Sequence, residues 1–110
     1  MIYKTFVETN GKRMARVTFM LPNTPRAEKI HLVGDFNDWN YSSHPFHRDH
    51  KGARTLTLDL ELGRVYQFRY LRNGEEWMND SQADAYVYNP NGTYNFIVVT
   101  DPDFERYDGA

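Results

Sequence analysis

The sequence predicts an all-β domain built as an antiparallel sandwich, and three observations support this. Aromatic residues make up 15% of the 110 residues, and aromatic side chains favour strands. Several segments alternate apolar and polar residues with a period of two, as half-buried strands do. Turn-forming dipeptides separate these segments: Asn10-Gly11, Asn73-Gly74 and Asn91-Gly92. No segment of the sequence has the apolar spacing of an amphipathic helix.

Alternation and strand-forming residues define the predicted elements in chain order. The strands are expected at 3–9, 13–21, 29–35, 53–60, 65–72, a short segment around Trp77, and 93–100. A long loop, 36–52, and an irregular segment, 79–90, connect them, the latter with one helical turn near 81–85. Seven to eight short strands with frequent turns are typical of an immunoglobulin-like sandwich. Its core is expected to contain Phe36, Tyr66, Phe68 and Phe96.

Composition sets the expected domain organisation and excludes several classes of partner. Residues 1–100 are predicted to form one domain and 101–110 a polar C-terminal tail. The net charge is −2 and the 13 basic residues are scattered, which argues against nucleic acid or an anionic membrane as partner. There is no cysteine and hence no disulfide or Cys-based zinc site. Without a long apolar run or signal-like start, the expectation is a cytoplasmic protein without a cofactor.

One turn stands out because it holds two aromatic residues. Gly34-Asp35-Phe36-Asn37-Asp38-Trp39-Asn40 follows a predicted strand. Glycine, aspartate and asparagine favour a tight backbone path. Such a turn can bury one ring and present the other to solvent. An exposed tryptophan on a rigid turn is typical of a binding surface.

Four segments in the same order resemble carbohydrate-binding module family 48, the isoamylase N-terminal early-set or glycogen-binding domain. They are Val33–Trp39, Tyr66–Gly74, Trp77, and Asn91–Asn95. The resemblance covers about residues 13–100 and implies an immunoglobulin-like sandwich. That family occurs in glycogen branching and debranching enzymes and in the β subunit of AMP-activated protein kinase. It implies a non-catalytic module that binds α-1,4-glucan such as glycogen, starch or maltodextrin, and a separate glycogen-metabolising enzyme is a candidate partner.

The residues that glycogen-binding members use can be placed on this sequence. The two tryptophans fall on Trp39 and Trp77, and the basic residue, lysine in those members, falls on Arg69. The threonine and asparagine of the final hairpin fall on Thr93 and Asn95. The apolar loop-tip position, leucine in those members, falls on Asn91. This departure removes an apolar plug from the middle of a curved glucan.

The chemistry of these residues agrees with the resemblance. Indole rings offer flat apolar area to the C–H faces of a sugar, and the polar side chains offer donors and acceptors to its hydroxyls. Period-two counting places Arg69 opposite Phe68 and Tyr70. It likewise places Thr93 and Asn95 opposite the core-facing residues of the last strand. If the aromatic faces are core, these three polar residues share the solvent face of the sheet. Burial of Trp39 or Trp77 in the core remains an alternative.

Three alternatives to sugar binding remain in the sequence. Carboxylates that invite a glycosidase interpretation are Asp35, Asp38, Asp49, Asp59, Asp80 and Asp84. A glycosidase needs two carboxyl groups facing each other across a cleft, and these lie at turns and edges. His44, His47 and His50 could surround a metal, although a solvated loop is the simpler interpretation. The last alternative is a protein-interaction or assembly domain with the same sandwich and no working sugar site, since sandwich edges can pair with other chains.

Overall fold

The chain forms two antiparallel sheets packed face to face in a computed structural model. The structure describes residues 1–21, 29–78 and 82–104. The strands are β1 Ile2–Thr9, β2 Lys12–Leu21, β3 Ile30–Gly34, β4 His47–Arg48, β5 Arg54–Glu61, β6 Val65–Arg72, β7 Glu76–Met78, β8 Ala85–Tyr88 and β9 Tyr94–Val99. A 3₁₀ turn, Asp35–Asn37, follows β3. The all-β sandwich predicted from the sequence is confirmed.

Each sheet is ordered by antiparallel pairing. Sheet 1 has the order β1-β2-β5-β4, and sheet 2 has the order β3-β6-β9-β8. In sheet 2, β3 pairs with one edge of β6, while β9 and β7 share its other edge. Strand β6 is the central strand of sheet 2, because β3, β7 and β9 all pair with it. The segment that connects β3 to β5 links the two sheets: the Phe46 amide donates to the Ile30 carbonyl of β3, and β4, which follows directly, pairs with β5.

The core lies between the sheets and is dominated by aromatic rings in edge-to-face contact. The Phe19 ring packs 5.2 Å from the Phe68 ring and 6.4 Å from the Tyr70 ring, measured between centroids. Phe68 also packs edge-on to Phe96 at 5.8 Å. Full burial of one such ring is worth about 1.5–3 kcal/mol. Phe68 and Phe96 are buried as predicted, and the other two predicted core rings, Phe36 and Tyr66, are partly buried against the core.

The structure corrects the prediction for two segments. Residues 85–88 form β8, because pairing with β9 stabilises a segment whose own sequence has no clear alternation. The helical turn expected near 81–85 is wrong for residues 82–84, which form a turn and bends. The long loop contains β4 and buries Phe46, which is 6% exposed. Residues 22–28, 79–81 (with Asp80) and 105–110 lie outside the described residues.

The outer face of sheet 2 carries buried apolar residues beside its polar ones. Leu71 and Val33 are 1% and 0% exposed although they lie on the same face as Arg69. Their cross-strand neighbours cover them, since Leu71 pairs with Trp77 on one side and with His31 on the other. These two side chains are buried beneath their neighbours and add no exposed apolar surface to this face. In the part of the chain that the structure describes, no helix is long and apolar enough to cross a membrane.

Candidate functional site

An open groove runs over the outer face of sheet 2. Its volume is about 370 Å³ and its walls are formed by Trp39, Tyr41, Arg69, Trp77, Asn89, Pro90, Asn91 and Asn95. These residues come from three parts of the chain: the segment after β3, strands β6 and β7, and the end of the β8–β9 hairpin with the start of β9. The fold thus brings together five of the six residues that the sequence singled out. The sixth, Thr93, lies next to the groove.

Trp39 is held by a tight turn that the local sequence specifies. The Asn37 side chain accepts a hydrogen bond from the Gly34 amide and donates one to the Leu32 carbonyl. Asp38 and Trp39 then adopt left-handed φ angles of 52° and 58°. This conformation is unfavourable for a bulky side chain and tends to occur at functional sites. The backbone is therefore bent sharply where the indole meets the groove.

The indole of Trp39 is fixed in orientation by a carboxylate. Its Nε1 donates to Asp35 Oδ1 at 3.0 Å, while Asp35 Oδ2 accepts the backbone amide of Gln67 at 2.8 Å. Asp35 therefore ties the turn to β6. Because the polar edge of the ring is anchored in this way, Trp39 can offer its apolar face to a ligand with little rotamer freedom left to lose.

Trp77, Arg69 and Tyr41 contact one another and together line the groove. The Arg69 guanidinium carbon lies 4.7 Å from the centre of the Trp77 ring, a cation–π contact. The Tyr41 ring meets Trp77 edge-on at 5.4 Å. Burial lowers the pKa of Arg69 and the nearby Tyr41 raises it, with burial the larger effect. Arg69 remains a cation at neutral pH.

Asn89 organises the hairpin that forms the opposite wall. Its Oδ1 accepts the backbone amides of Asn91 and Thr93, and its Nδ2 donates to Thr93 Oγ1 at 2.8 Å. The same Nδ2 also lies 3.1 Å from Asn95 Oδ1. An asparagine that binds the backbone two residues on is a common way to fix a turn. The tip residue Asn91 is thereby held at the rim of the groove.

Thr93 and Asn95 are engaged by neighbouring side chains. Arg69 Nη1 donates to Thr93 Oγ1 over a long 3.4 Å. Asn95 Nδ2 donates to Gln67 Oε1 at 3.0 Å. The last strand and β6 are therefore joined by a polar network on the groove side. This network fixes the positions of the polar groups relative to the two indoles.

Burial decides the alternative in which a tryptophan belongs to the core. Trp39 and Trp77 are both only partly buried, and both line the groove. Neither belongs to the buried core cluster. Because both rings line one groove, they lie on the same side of the sandwich.

The other candidate residues do not assemble into a metal site. Within 1–21, 29–78 and 82–104, no three histidine or acidic side chains converge as metal ligands would. His44 Nδ1 lies 3.1 Å from Asn37 Nδ2 and 2.8 Å from Ser43 Oγ. Asp84 accepts Lys4 Nζ and the Val99 amide, and Asp59 pairs with Arg16. These side chains serve the structure of the sandwich.

Sequence reasoning missed Tyr41 and Asn89 as groove residues. Tyr41 sits in a stretch without periodicity, and its only signal was an aromatic residue two positions after Trp39. Asn89 had a clearer signal in the run Asn89-Pro90-Asn91-Gly92, which is typical of a turn. The role of Asp35 as an anchor was also missed. Residues four positions apart are neighbours in a helix but not in general elsewhere. The hydrogen bond between Asp35 and Trp39 therefore had no signal in the sequence.

Comparison with known families decides the identity of the fold. The family model of carbohydrate-binding module 48, the isoamylase N-terminal domain, matches residues 7–102. The chain belongs to this family. The resemblance seen in the sequence is thereby confirmed. The turn that carries Trp39, the strand that carries Arg69, and the final hairpin all lie within the matched range.

The relatives are much longer proteins. The chain is 32% identical over 83 residues to the 1,4-alpha-glucan branching enzyme GlgB of Aquifex aeolicus, covering 73% of this chain and 12% of that protein. It is 30% identical over 89 residues to the corresponding enzyme of Deinococcus radiodurans, covering 78% and 12%. A 1,4-alpha-glucan-branching enzyme of Dictyostelium discoideum is 57% identical over 34 residues, covering 31% and 5%. The chain thus spans about an eighth or less of the relatives it matches.

Proposed function

We propose that this domain is a non-catalytic module that binds α-1,4-linked glucan, such as glycogen, starch or maltodextrin, in the groove on sheet 2. The observation that carries the proposal is that Trp39 and Trp77 line one open groove. Relatives named 1,4-alpha-glucan branching enzymes support the choice of ligand. A separate glycogen-metabolising enzyme is the partner that this assignment suggests.

The two indoles supply the apolar part of the proposed site. The C–H faces of glucose units stack on flat rings, and each stack contributes roughly 0.5–1.5 kcal/mol beyond area burial, by analogy with aromatic pairs. Trp39 is oriented by Asp35 and Trp77 is backed by Arg69 and Tyr41. Because both rings are positioned before the ligand arrives, little conformational entropy opposes binding.

The polar groups supply recognition of hydroxyls. Arg69, Asn91, Thr93 and Asn95 surround the rings with donors and acceptors. Asn91 stands at the rim with an amide where glycogen-binding members of the family carry leucine. It therefore offers hydrogen bonds and no apolar plug, so in this chain the affinity rests more heavily on the two tryptophans.

Affinity electrophoresis in gels that contain glycogen tests the proposal. Migration of the wild-type domain is expected to be retarded, and the Trp39→Ala, Trp77→Ala double variant is expected to lose most of that retardation. Two lost stacks correspond to roughly tenfold or more in affinity. Tyr3→Ala is the matched control, since Tyr3 is an exposed aromatic residue on sheet 1. Equal migration of the wild type and the double variant would reject glucan binding in this groove.

A further inference from the structure

The starting observation is a cation in the groove that has no anionic partner. Arg69 is the one charged residue among the groove-lining residues that the structure describes. Across 1–21, 29–78 and 82–104, no ion pair joins it to a carboxylate. Its Nε is shielded from solvent and has no hydrogen-bond acceptor. Part of the hydration of the guanidinium is lost without a compensating bond, which is unfavourable for a charged group.

Asp35, the carboxylate that holds the Trp39 indole, is already engaged. Both oxygens of Asp35 accept hydrogen bonds, one from Trp39 Nε1 and the other from the Gln67 amide. Asp35 is also not among the residues that form the walls of the groove. The contacts that Arg69 makes are with neutral groups: the Trp77 ring and, over 3.4 Å, Thr93 Oγ1. The groove therefore has a positive centre.

The donors that remain for a ligand are suited to an oxyanion. The Trp39 indole N–H is committed to Asp35, and one N–H of the Asn95 amide is committed to Gln67. Arg69 is the cationic donor among the groove-lining residues that the structure describes, and Asn91, Asn95 and Tyr41 add neutral donor groups. A guanidinium binds phosphate oxygens through two parallel hydrogen bonds, and bonds to a charged acceptor are about twice as strong as neutral ones. A neutral sugar hydroxyl would leave the charge of Arg69 uncompensated.

We propose that the groove prefers an α-glucan that carries a phosphate monoester, with the phosphate bound by Arg69 while the glucose units stack on Trp39 and Trp77. This inference rests on the proposed glucan-binding function and adds the chemical class of the preferred ligand. A phosphate monoester carries a charge of about −1.5 to −2 at pH 7. It supplies a counter-charge for Arg69, which has no carboxylate partner among the described residues. The indoles remain responsible for the sugar part of the ligand.

The test compares two ligands that differ only in the phosphate group. Maltoheptaose and maltoheptaose carrying one 6-phosphate are titrated at pH 7.5 and low salt, with tryptophan emission as the signal. The phosphorylated ligand is expected to bind roughly tenfold more tightly. The preference is expected to shrink as salt is raised, because the interaction is ionic and partly exposed. Inorganic phosphate alone is expected to bind far more weakly than either sugar.

Variants assign the preference to Arg69. In Arg69→Gln the two sugars are expected to bind equally, while Arg69→Lys keeps part of the preference because it retains the charge and loses the planar fork. Arg16→Gln is the matched control: it removes one positive charge from sheet 1, where Arg16 pairs with Asp59, and should leave the preference unchanged. Thermal unfolding of each variant checks that the fold is intact.

Each outcome separates this inference from the glucan-binding proposal. Equal affinity of the wild type for both sugars would overturn the phosphate preference and leave glucan binding standing. A preference that survives in Arg69→Gln would overturn the role of Arg69. Inorganic phosphate binding as tightly as the phosphorylated sugar would overturn the joint use of the indoles. Absence of binding by either sugar would overturn both proposals.

Discussion

At the scale of single residues, Asp35 sets the direction of the Trp39 ring. One carboxylate oxygen holds the indole N–H and the other holds the backbone of β6 at Gln67. Trp39 itself has a left-handed φ of 58°, a conformation that costs of order 1–3 kcal/mol for a bulky residue. The two hydrogen bonds of Asp35 therefore stabilise the turn in which Trp39 has this unfavourable backbone conformation, and they fix the direction of its ring. In the proposed glucan site, Asp35 is a positioning residue that acts through Trp39.

Replacing this anchor is expected to weaken binding without removing either indole. In Asp35→Ala the Trp39 ring gains rotamer freedom that a ligand must then freeze, and maltoheptaose affinity should fall by roughly fivefold. Titration by tryptophan fluorescence measures the change. Asp59→Ala is the control, since it removes an exposed carboxylate from sheet 1. Unchanged affinity in Asp35→Ala would contradict the positioning role.

At the scale of elements, the turn after β3 depends on a close approach of two backbones. A Cβ atom at Gly34 would lie 2.5 Å from the Gln67 carbonyl oxygen and 2.9 Å from Phe68 Cβ. Gly34 has an extended backbone with φ −176°, so space and not a left-handed φ requires glycine. The 3₁₀ turn can sit against β6 because this position carries no side chain.

Gly34→Ala is therefore expected to destabilise the domain by about 1–3 kcal/mol, the usual cost of overpacking. Urea unfolding should show a lower midpoint with an unchanged slope. Glu8→Ala is the control, because Glu8 is exposed near the end of β1. Its stability should change by less than about 0.5 kcal/mol. Equal midpoints for Gly34→Ala and the wild type would contradict the close-approach argument.

At the scale of the whole molecule, the edge of sheet 2 carries a histidine that links stability to pH. The pKa of His31 is lowered, first because burial disfavours the imidazolium and second because Lys29 repels it. Its Nδ1 is buried without a hydrogen-bond partner. Above about pH 6.5 the imidazole is neutral in both the folded and unfolded states. Below that pH the unfolded chain takes up the proton first, so stability falls as pH falls toward the lowered pKa of the folded state.

The free energy of unfolding should therefore decrease between pH 7.5 and pH 5.5 more in the wild type than in His31→Gln. Urea unfolding at both pH values measures the two differences. His50→Gln is the matched control, because it makes the same substitution at an exposed histidine. Its decrease is expected to equal that of the wild type. An equal decrease in the wild type and in His31→Gln would show that His31 does not carry this dependence.

The sequence-based predictions were accurate where a local pattern determines the structure, and they failed where pairing between distant residues determines it. Alternation and turn dipeptides are local, so β2, β5 and β6 were placed to within a residue or two. Strand β8 exists because it pairs with β9, and pairing between distant residues leaves no local pattern. The face shared by Arg69 and Asn95 followed from period two, whereas Tyr41 and Asn89 reach the groove through irregular loops. The burial of Leu71 and Val33 had no local signal either, since it depends on neighbours from other strands.

The central claim is that two indoles of one groove bind the same glucan. The chain contains two tryptophans, so a ¹⁵N-labelled sample gives two indole N–H resonances, assigned with Trp39→Phe and Trp77→Phe. Maltoheptaose is titrated while both resonances are followed. Both are expected to shift along one saturation curve, because both rings line the groove. A titration in which neither resonance moves, or in which just one does, would contradict the account.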